Sequence, residues 1–305
     1  MTEPAGPTLS IPALAIDEAH IARLSPRIAR ALSLAVILVF AGFLSLWIFR
    51  SGASGSFDLA AFLKALGVGI AAQLVDGAIG MAYGITSNSL LLATGISPAA
   101  ATATVHVAEA FTTAASGVAH WRLGNIDKRI FGRILIPGII GAVTGVALVT
   151  SIDGNTLRPW IAGYLLLMGL YIIFRAFRAV HFTPVIGNRL IPVALFGGFA
   201  DSVGGGGWGP VVTTTLIGSG HEPKTTIGSV NAAEFFVTLA SGFSFAVLIG
   251  IQHWESVAGL VLGGLIVAPF AARLTHRINR RALMVLIGGL IMTLSIFTLY
   301  RALAA

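Results

Sequence analysis

Residues 200 to 209 read Ala200-Asp201-Ser202-Val203-Gly204-Gly205-Gly206-Gly207-Trp208-Gly209, an acid and a run of glycines inside an otherwise apolar segment. Residues 75 to 84, Val75-Asp76-Gly77-Ala78-Ile79-Gly80-Met81-Ala82-Tyr83-Gly84, repeat the pattern, and sliding the chain along itself by 125 positions aligns the two without a gap. Asp76 then falls on Asp201, Gly80 on Gly205, Tyr83 on Trp208 and Gly84 on Gly209. Beyond the break, Gly95 falls on Gly220, Pro98 on Pro223, Glu109 on Glu234, and Thr113 to Gly117 on Thr238 to Gly242. A fixed internal offset of this kind makes the chain a two-repeat protein.

Composition sets the environment. Of 305 residues 56% are hydrophobic and only 10% charged, with a mean hydropathy of +0.90, where a soluble domain carries roughly 25% charged residues. Ala31 to Phe49, Ile134 to Thr150, Pro159 to Phe174, Ser256 to Ala272 and Ala282 to Tyr300 carry no charge, and Pro98 to Trp121 and Thr225 to Gln252 carry one acid each. Runs of this length cross a hydrocarbon core about 30 Å thick. The reading is an all-α polytopic membrane protein. The absence of cysteine excludes disulfides and thiol chemistry. A net charge of +7 does not point to nucleic acid, because the basic residues lie between apolar runs and form no single patch.

Charge placement gives a topology. Arg23, Arg27 and Arg30 precede the first span and place residues 1–30 in the cytoplasm as a disordered start followed by a short surface helix. Basic clusters at Arg122 to Arg133, Arg175 to Arg189 and Arg273 to Arg281 mark three further cytoplasmic loops, while Arg50, Arg158 and Arg301 fall outside. Asp58 to Asp76 and Tyr83 to Thr94 are each short for a crossing and flank a break, so they form a hairpin of half-helices entering from outside. Leu190 to Ser219 is the second hairpin, entering from the cytoplasm. One repeat thus holds three crossings and a returning hairpin, an odd number, and the two repeats are inverted. Were the interrupted segments to cross once each, the repeats would be parallel, which the charges fit less well. The organisation expected is a cytoplasmic segment 1–30, membrane repeats at 31–155 and 156–280, and a C-terminal membrane helix at 281–305 ending outside.

Four acids, Asp76, Glu109, Asp201 and Glu234, fall at membrane depth as two pairs related by the same offset. Intramembrane acids are costly and face the protein interior or a water cavity. They either hold the halves together or titrate as proton carriers. Thr102, His106, Glu109, Thr113 and Ser116 recur at helical spacing, with Asn231, Glu234, Thr238 and Ser241 as counterparts. His106, Glu109, Asn231 and Glu234 are the candidates for proton coupling or gating. The stripes serve equally well as helix-packing contacts. The breaks are the candidate substrate site: unwound backbone offers free N–H groups, and the half-helices beginning near Gly84 and Gly209 point positive dipole ends at the same place. Gly80, Tyr83, Gly84, Thr86, Ser87 and Asn88 in one repeat, and Gly205, Gly206, Gly207, Trp208, Gly209, Thr213 and Thr214 in the other, would line it. Asp76 and Asp201 brace the loops from behind, because a bare carboxylate beside an anion repels it. No metal site, cofactor or catalytic constellation is expected, and Gly204 to Gly209 matches a dinucleotide fingerprint only without its βαβ context.

The segment Gly205-Gly206-Gly207-Trp208-Gly209-Pro210, followed by Gly220, Pro223 and Gly228-Ser229, with a weaker copy at Gly80 to Ser87, resembles the TauE/SafE sulfite-exporter family over residues 60 to 300. The resemblance implies a bacterial inner-membrane permease moving sulfite, sulfonates or related oxyanions, with substrate near Gly80 to Gly84 and Gly205 to Gly209. This chain departs from the family at Met81-Ala82-Tyr83, where glycine is usual, and at Glu109 and Glu234, where small or hydroxyl residues are. The function expected is secondary export of a small sulfur-containing anion by alternating access. An anion channel, or proton-coupled uptake of a different organic anion, is the alternative. The partners expected are that anion and the lipid bilayer, and an apolar bundle of this size is open to homodimerisation.

Overall fold

The computed structural model describes residues 21–22, 57–79, 81–178, 186–274 and 280–304. The first apolar run from Ala31 to Phe49, most of the 1–30 segment, and Gly80 lie outside the described residues. The described chain forms α1 (Leu59–Ile79), α2 (Tyr83–Ala93), α3 (Pro98–Arg122), α4 (Lys128–Ser151), α5 (Gly154–Phe177), α6 (Leu190–Gly204), α7 (Gly209–Gly218), α8 (Pro223–Leu248), α9 (Trp254–Leu274) and α10 (Arg280–Ala304). Strand β1 (Ile21–Ala22) pairs antiparallel with β2 (Ile126–Asp127) in the loop after α3. The surface helix expected before the first span is therefore not formed at Ile21 and Ala22, whose backbone is extended and tied to the Arg122–Arg133 loop.

Local chemistry explains where the helices start and stop. Asp127 caps α4 by accepting from Arg129 N at 2.8 Å, Asp153 caps α5 by accepting from Asn155 N at 2.9 Å, and Glu222 caps α8 by accepting from Thr225 N at 2.6 Å. Such a cap stabilises a helix by about 1 kcal/mol. Pro98 and Pro223 occupy first-turn positions of α3 and α8, where a missing N–H costs nothing. Gly205, in the left-handed region with φ +68°, ends α6.

Among the described residues five helices are long and apolar enough to cross a membrane: Leu59–Asp76, Lys128–Ser151, Gly154–Phe177, Pro223–Leu248 and Arg281–Ala304. Their outward faces carry Ile136, Ile140, Trp160, Leu167, Phe174, Phe243 and Leu286, all exposed. An apolar surface that extensive matches a lipid environment and not water. Helix α3 is set apart by its polar stripe and is instead buried, with Thr102, His106, Glu109 and Thr113 all facing the interior.

The 125-residue offset reappears in three dimensions. Shifted by 125, α2 covers 208–218, α3 covers 223–247, α4 covers 253–276 and α5 covers 279–302, against helices observed at Gly209–Gly218, Pro223–Leu248, Trp254–Leu274 and Arg280–Ala304. Packing partners exchange under the same offset: α1 lies along α9 and α6 along α4, while α3 packs on α8 and α5 on α10. Close approach at glycine makes these crossings tight. A Cβ on Gly69 would meet the Leu260 carbonyl, one on Gly141 the Leu195 carbonyl, and Gly169 and Gly288 face one another. Gly117 lies against Ala232 and Gly242 against Val107, so α3 and α8 run antiparallel. The bond from Arg281 Nε to the Ala176 carbonyl shows the same for α5 and α10.

Candidate functional site

Both glycine breaks meet in the centre of the described structure, and each presses on the start of the other repeat's half-helix. A Cβ on Gly84, at the start of α2, would lie 2.6 Å from the Gly205 carbonyl oxygen and 3.0 Å from Gly206 Cα. A Cβ on Gly209, at the start of α7, would lie 2.8 Å from Met81 Cβ. Gly206 in turn abuts the Ile85 N–H and Gly205 the Asn88 side chain, leaving no room for any side chain at either position. Asn88 locks the contact by donating from Nδ2 to the Gly204 carbonyl at 2.6 Å.

The two aspartates span their own breaks. Asp76 Oδ1 accepts from Ala82 N at 3.0 Å and Tyr83 N at 3.4 Å, and Asp201 Oδ1 accepts from Gly207 N at 2.8 Å and Trp208 N at 3.1 Å. Gly206 N donates to the Asp201 carbonyl. These bonds correct the expectation of unwound backbone with free N–H groups at Gly206, Gly207, Trp208 and Tyr83, since each of those donors is already taken. The physical reason is that a dry interior disfavours an unpaired N–H, and the acid about one turn before each break is a nearby acceptor.

His106 adds a third contact to Asp201. Its Nδ1 faces the Thr102 carbonyl at 2.9 Å and its Nε2 faces Asp201 Oδ2 at 3.1 Å. A carbonyl only accepts, so Nδ1 carries hydrogen, and the Nε2 to carboxylate contact then requires a further proton shared by the pair. Asn231, at the equivalent position, does not reach Asp76. It donates to Ser116 Oγ at 2.9 Å across the α3 and α8 interface.

Glu109 is 5% exposed, and its Oε1 stands 3.3 Å from the Cβ position of Gly84. The Gly84 N–H is the backbone donor facing it, and Asp201, Glu234 and Asp76 all lie within electrostatic range, so the four acids form one cluster. Glu234 is half-buried. The stripe hydroxyls turn back on their own helices: Thr113 Oγ1 donates to the Glu109 carbonyl and Thr238 Oγ1 to the Glu234 carbonyl. Thr86 Oγ1, Ser87 Oγ and Asn88 Oδ1 are buried without partners among the described residues. Thr213 and Thr214 are buried on α7, where Thr214 Oγ1 points at Met81 Sδ. Tyr83 and Trp208 anchor the breaks, Tyr83 through its hydroxyl to the Leu260 carbonyl at 3.1 Å and Trp208 through its indole N–H to the Val230 carbonyl at 3.2 Å.

The family model for the sulfite exporter TauE/SafE matches residues 65–298, which spans both breaks and all four acids. The chain belongs to the TauE/SafE sulfite exporter family. It is 42% identical over 242 residues to the probable membrane transporter protein YtnM of Bacillus subtilis (strain 168), across 76% of this chain and 80% of that protein. No solved structure matches. As a member of the TauE/SafE family the chain is a multi-pass membrane transporter.

Sequence reasoning passed over Tyr164, which donates to the Gly206 carbonyl at 3.1 Å and packs against Gly204. Its only signal was a hydroxyl in an apolar run, shared with Tyr171. Met81, marked in the sequence only as a departure from the family pattern, is seated on Gly209.

Proposed function

We propose that this TauE/SafE member is a secondary transporter that exports a small sulfur-containing anion, such as sulfite or an organosulfonate, by alternating access. The observation that carries the reading is the interlock itself: two interrupted helix pairs, one from each repeat, meet at Gly84 and Gly205–Gly206, with unpartnered hydroxyls on Thr86 and Ser87 beside them. Discontinuous helices meeting at a repeat interface are how many secondary transporters build a site at the bilayer midplane. The antiparallel course of α3 and α8, and of α5 and α10, supports inverted repeats, with the hairpin α1–α2 entering from outside and α6–α7 from the cytoplasm. Small oxyanions suit the place because the α2 N-terminus adds a positive dipole end and the hydroxyls add neutral donors.

Export needs no nucleotide. A monoanion leaving a cell with a negative interior gains about 2.3 kcal/mol per 100 mV. In this reading Asp76 and Asp201 hold the breaks in shape, and the protein lies in the bacterial inner membrane with its N-terminus in the cytoplasm.

Purified protein in proteoliposomes, assayed for flux of sulfite, sulfoacetate, taurine, sulfate and chloride, tests the proposal. Saturable flux of a sulfur oxyanion that exceeds chloride flux is expected. Flux of none of them, or an unsaturating ohmic conductance, contradicts it.

A further inference from the structure

A buried carboxylate usually finds donors for both oxygens. Glu109 does not: it is 5% exposed, yet its Oε2 has no hydrogen-bond partner among the described residues. Its Oε1 stands at the first turn of α2, 3.3 Å from the Cβ position of Gly84, with the Gly84 N–H facing it. The other backbone donors around the breaks are committed, those of Ala82 and Tyr83 to Asp76 and those of Gly207 and Trp208 to Asp201. So, among the described residues, the N–H groups of Gly84 and Ile85 are left at the start of an 11-residue half-helix, and Glu109 of α3 stands before that of Gly84. Later on α2, Thr86 Oγ1 and Ser87 Oγ are buried and have no hydrogen-bond partner among the described residues. A donor set of this kind, one helix-end N–H and two free hydroxyls, suits an oxyanion, and the carboxylate there is an oxyanion on a tether.

We propose that Glu109 is a tethered competitor, its carboxylate occupying the position at the start of α2 that the substrate oxyanion takes, so that each anion bound is accompanied by one proton taken up by Glu109. The proposal rests on the transporter reading and adds its coupling. The exchange balances: anion plus one proton enters, the carboxylate becomes a neutral carboxylic acid, and the Gly84 N–H passes from one oxyanion to the other.

The groups facing Glu109 favour this exchange. Asp201 of α6, Glu234 of α8, Asp76 of α1 and the hydroxyl of Tyr83 on α2 are within electrostatic range, and His106 lies one turn away on α3, already engaged with Asp201. Tyr164 of α5 is bonded to Gly206, and α9 presents no titratable side chain between Val257 and Val267. Among the described residues no unpaired cation is seen beside Glu109, and His106 is paired with the Asp201 carboxylate, so neutralising Glu109 removes the nearest repulsion to an arriving anion. The second repeat lacks the device: the atoms nearest Gly209 are those of Met81, and Glu234 is half-buried. For a dianion such as sulfite, one co-bound proton still leaves a net negative charge, and a negative interior still drives export. For a monoanionic sulfonate the same step is electroneutral, and the anion and proton gradients set direction.

The test is calorimetric titration of the purified full chain with methanesulfonate and with sulfate, whose charges do not change between about pH 5 and pH 8, in buffers of differing ionisation enthalpy. With one linked proton, the wild-type Kd is expected to rise about tenfold per pH unit above the ionisation of Glu109, with one proton taken up per anion. Glu109→Gln is expected to bind without proton uptake and with a Kd that no longer varies with pH. A wild-type Kd independent of pH with no proton uptake overturns the inference while leaving the transporter reading in place, and needs no variant to be folded. Retention of the wild-type slope by Glu109→Gln overturns it equally. Binding of neither anion at any pH overturns the inference, while the flux of sulfite in proteoliposomes decides the export reading separately.

Discussion

The two glycine breaks occupy equivalent places and are held differently. The break at Gly205 to Gly209 uses two glycines with positive φ, Gly205 at +68° and Gly206 at +155°, and Asp201 is held on two sides, by Gly207 and Trp208 from its own loop and by His106 from α3. The break before Gly84 carries Met81 and Ala82, with Ala82 at an ordinary φ of −132°, and among the described residues Asp76 accepts from Ala82 N and Tyr83 N of its own loop. Asn231, which stands where a second His would, bonds Ser116 instead. Among the described residues the second break thus has a fastening from α3 that the first does not share, and it is the first that Glu109 faces.

The largest effect is expected where the two breaks touch. In Gly206→Leu the new side chain collides with the Ile85 N–H in a backbone conformation that disfavours any Cβ, and overpacking of this kind costs about 3 kcal/mol. Flux in proteoliposomes should vanish, and the denaturant midpoint in detergent should fall. Wild-type flux would mean the interlock is not part of the transport cycle.

The aspartates come next and separate the breaks directly. Asp201→Ala leaves His106 Nε2 and two N–H groups without partners and should cost about 4 kcal/mol, whereas Asp76→Ala leaves two N–H groups and should cost about 2 kcal/mol. Equal losses of stability, measured by thermal unfolding, would break the contrast.

The smallest effect lies at the helix starts after the breaks. Glu222 and Ser97 are equivalent N-caps, but Glu222 accepts from Thr225 N while Ser97 makes no side-chain cap bond. Glu222→Ala should cost about 1 kcal/mol and Ser97→Ala nothing measurable. Burial opposes ionisation of Glu222, but its bonds from the Thr225 N–H and hydroxyl outweigh that and hold the carboxyl below its ordinary value. Because the folded value is the lower one, this stabilisation is present above the ordinary carboxylate range and is lost as pH falls through the folded value. The difference between wild type and Glu222→Ala should therefore shrink in acid.

Much of this architecture was legible in the chain itself. The 125-residue offset located both breaks and paired Pro98 with Pro223, which both stand at helix starts, because those signals are local. The contacts that fasten the breaks were not legible. Whether His106 meets Asp201 and Glu109 meets Gly84 depends on where α3 lies, and its packing on α8 involves close approach at Gly117 and Gly242, residues whose meaning appears only with a partner opposite. For the same reason Glu109 and Glu234 look alike in sequence and differ in place, one at Gly84 and the other half-buried on α8.

The central claim is that the paired breaks enter from opposite membrane faces. The chain has no native cysteine, so single cysteines report cleanly. Thr94, after α2, and Lys224, at the start of α8, are both exposed and follow equivalent half-helices. In intact cells an impermeant maleimide should label Thr94→Cys from the outside, and should label Lys224→Cys only after the membrane is opened. Labelling of both from the same side would make the repeats parallel and contradict the account.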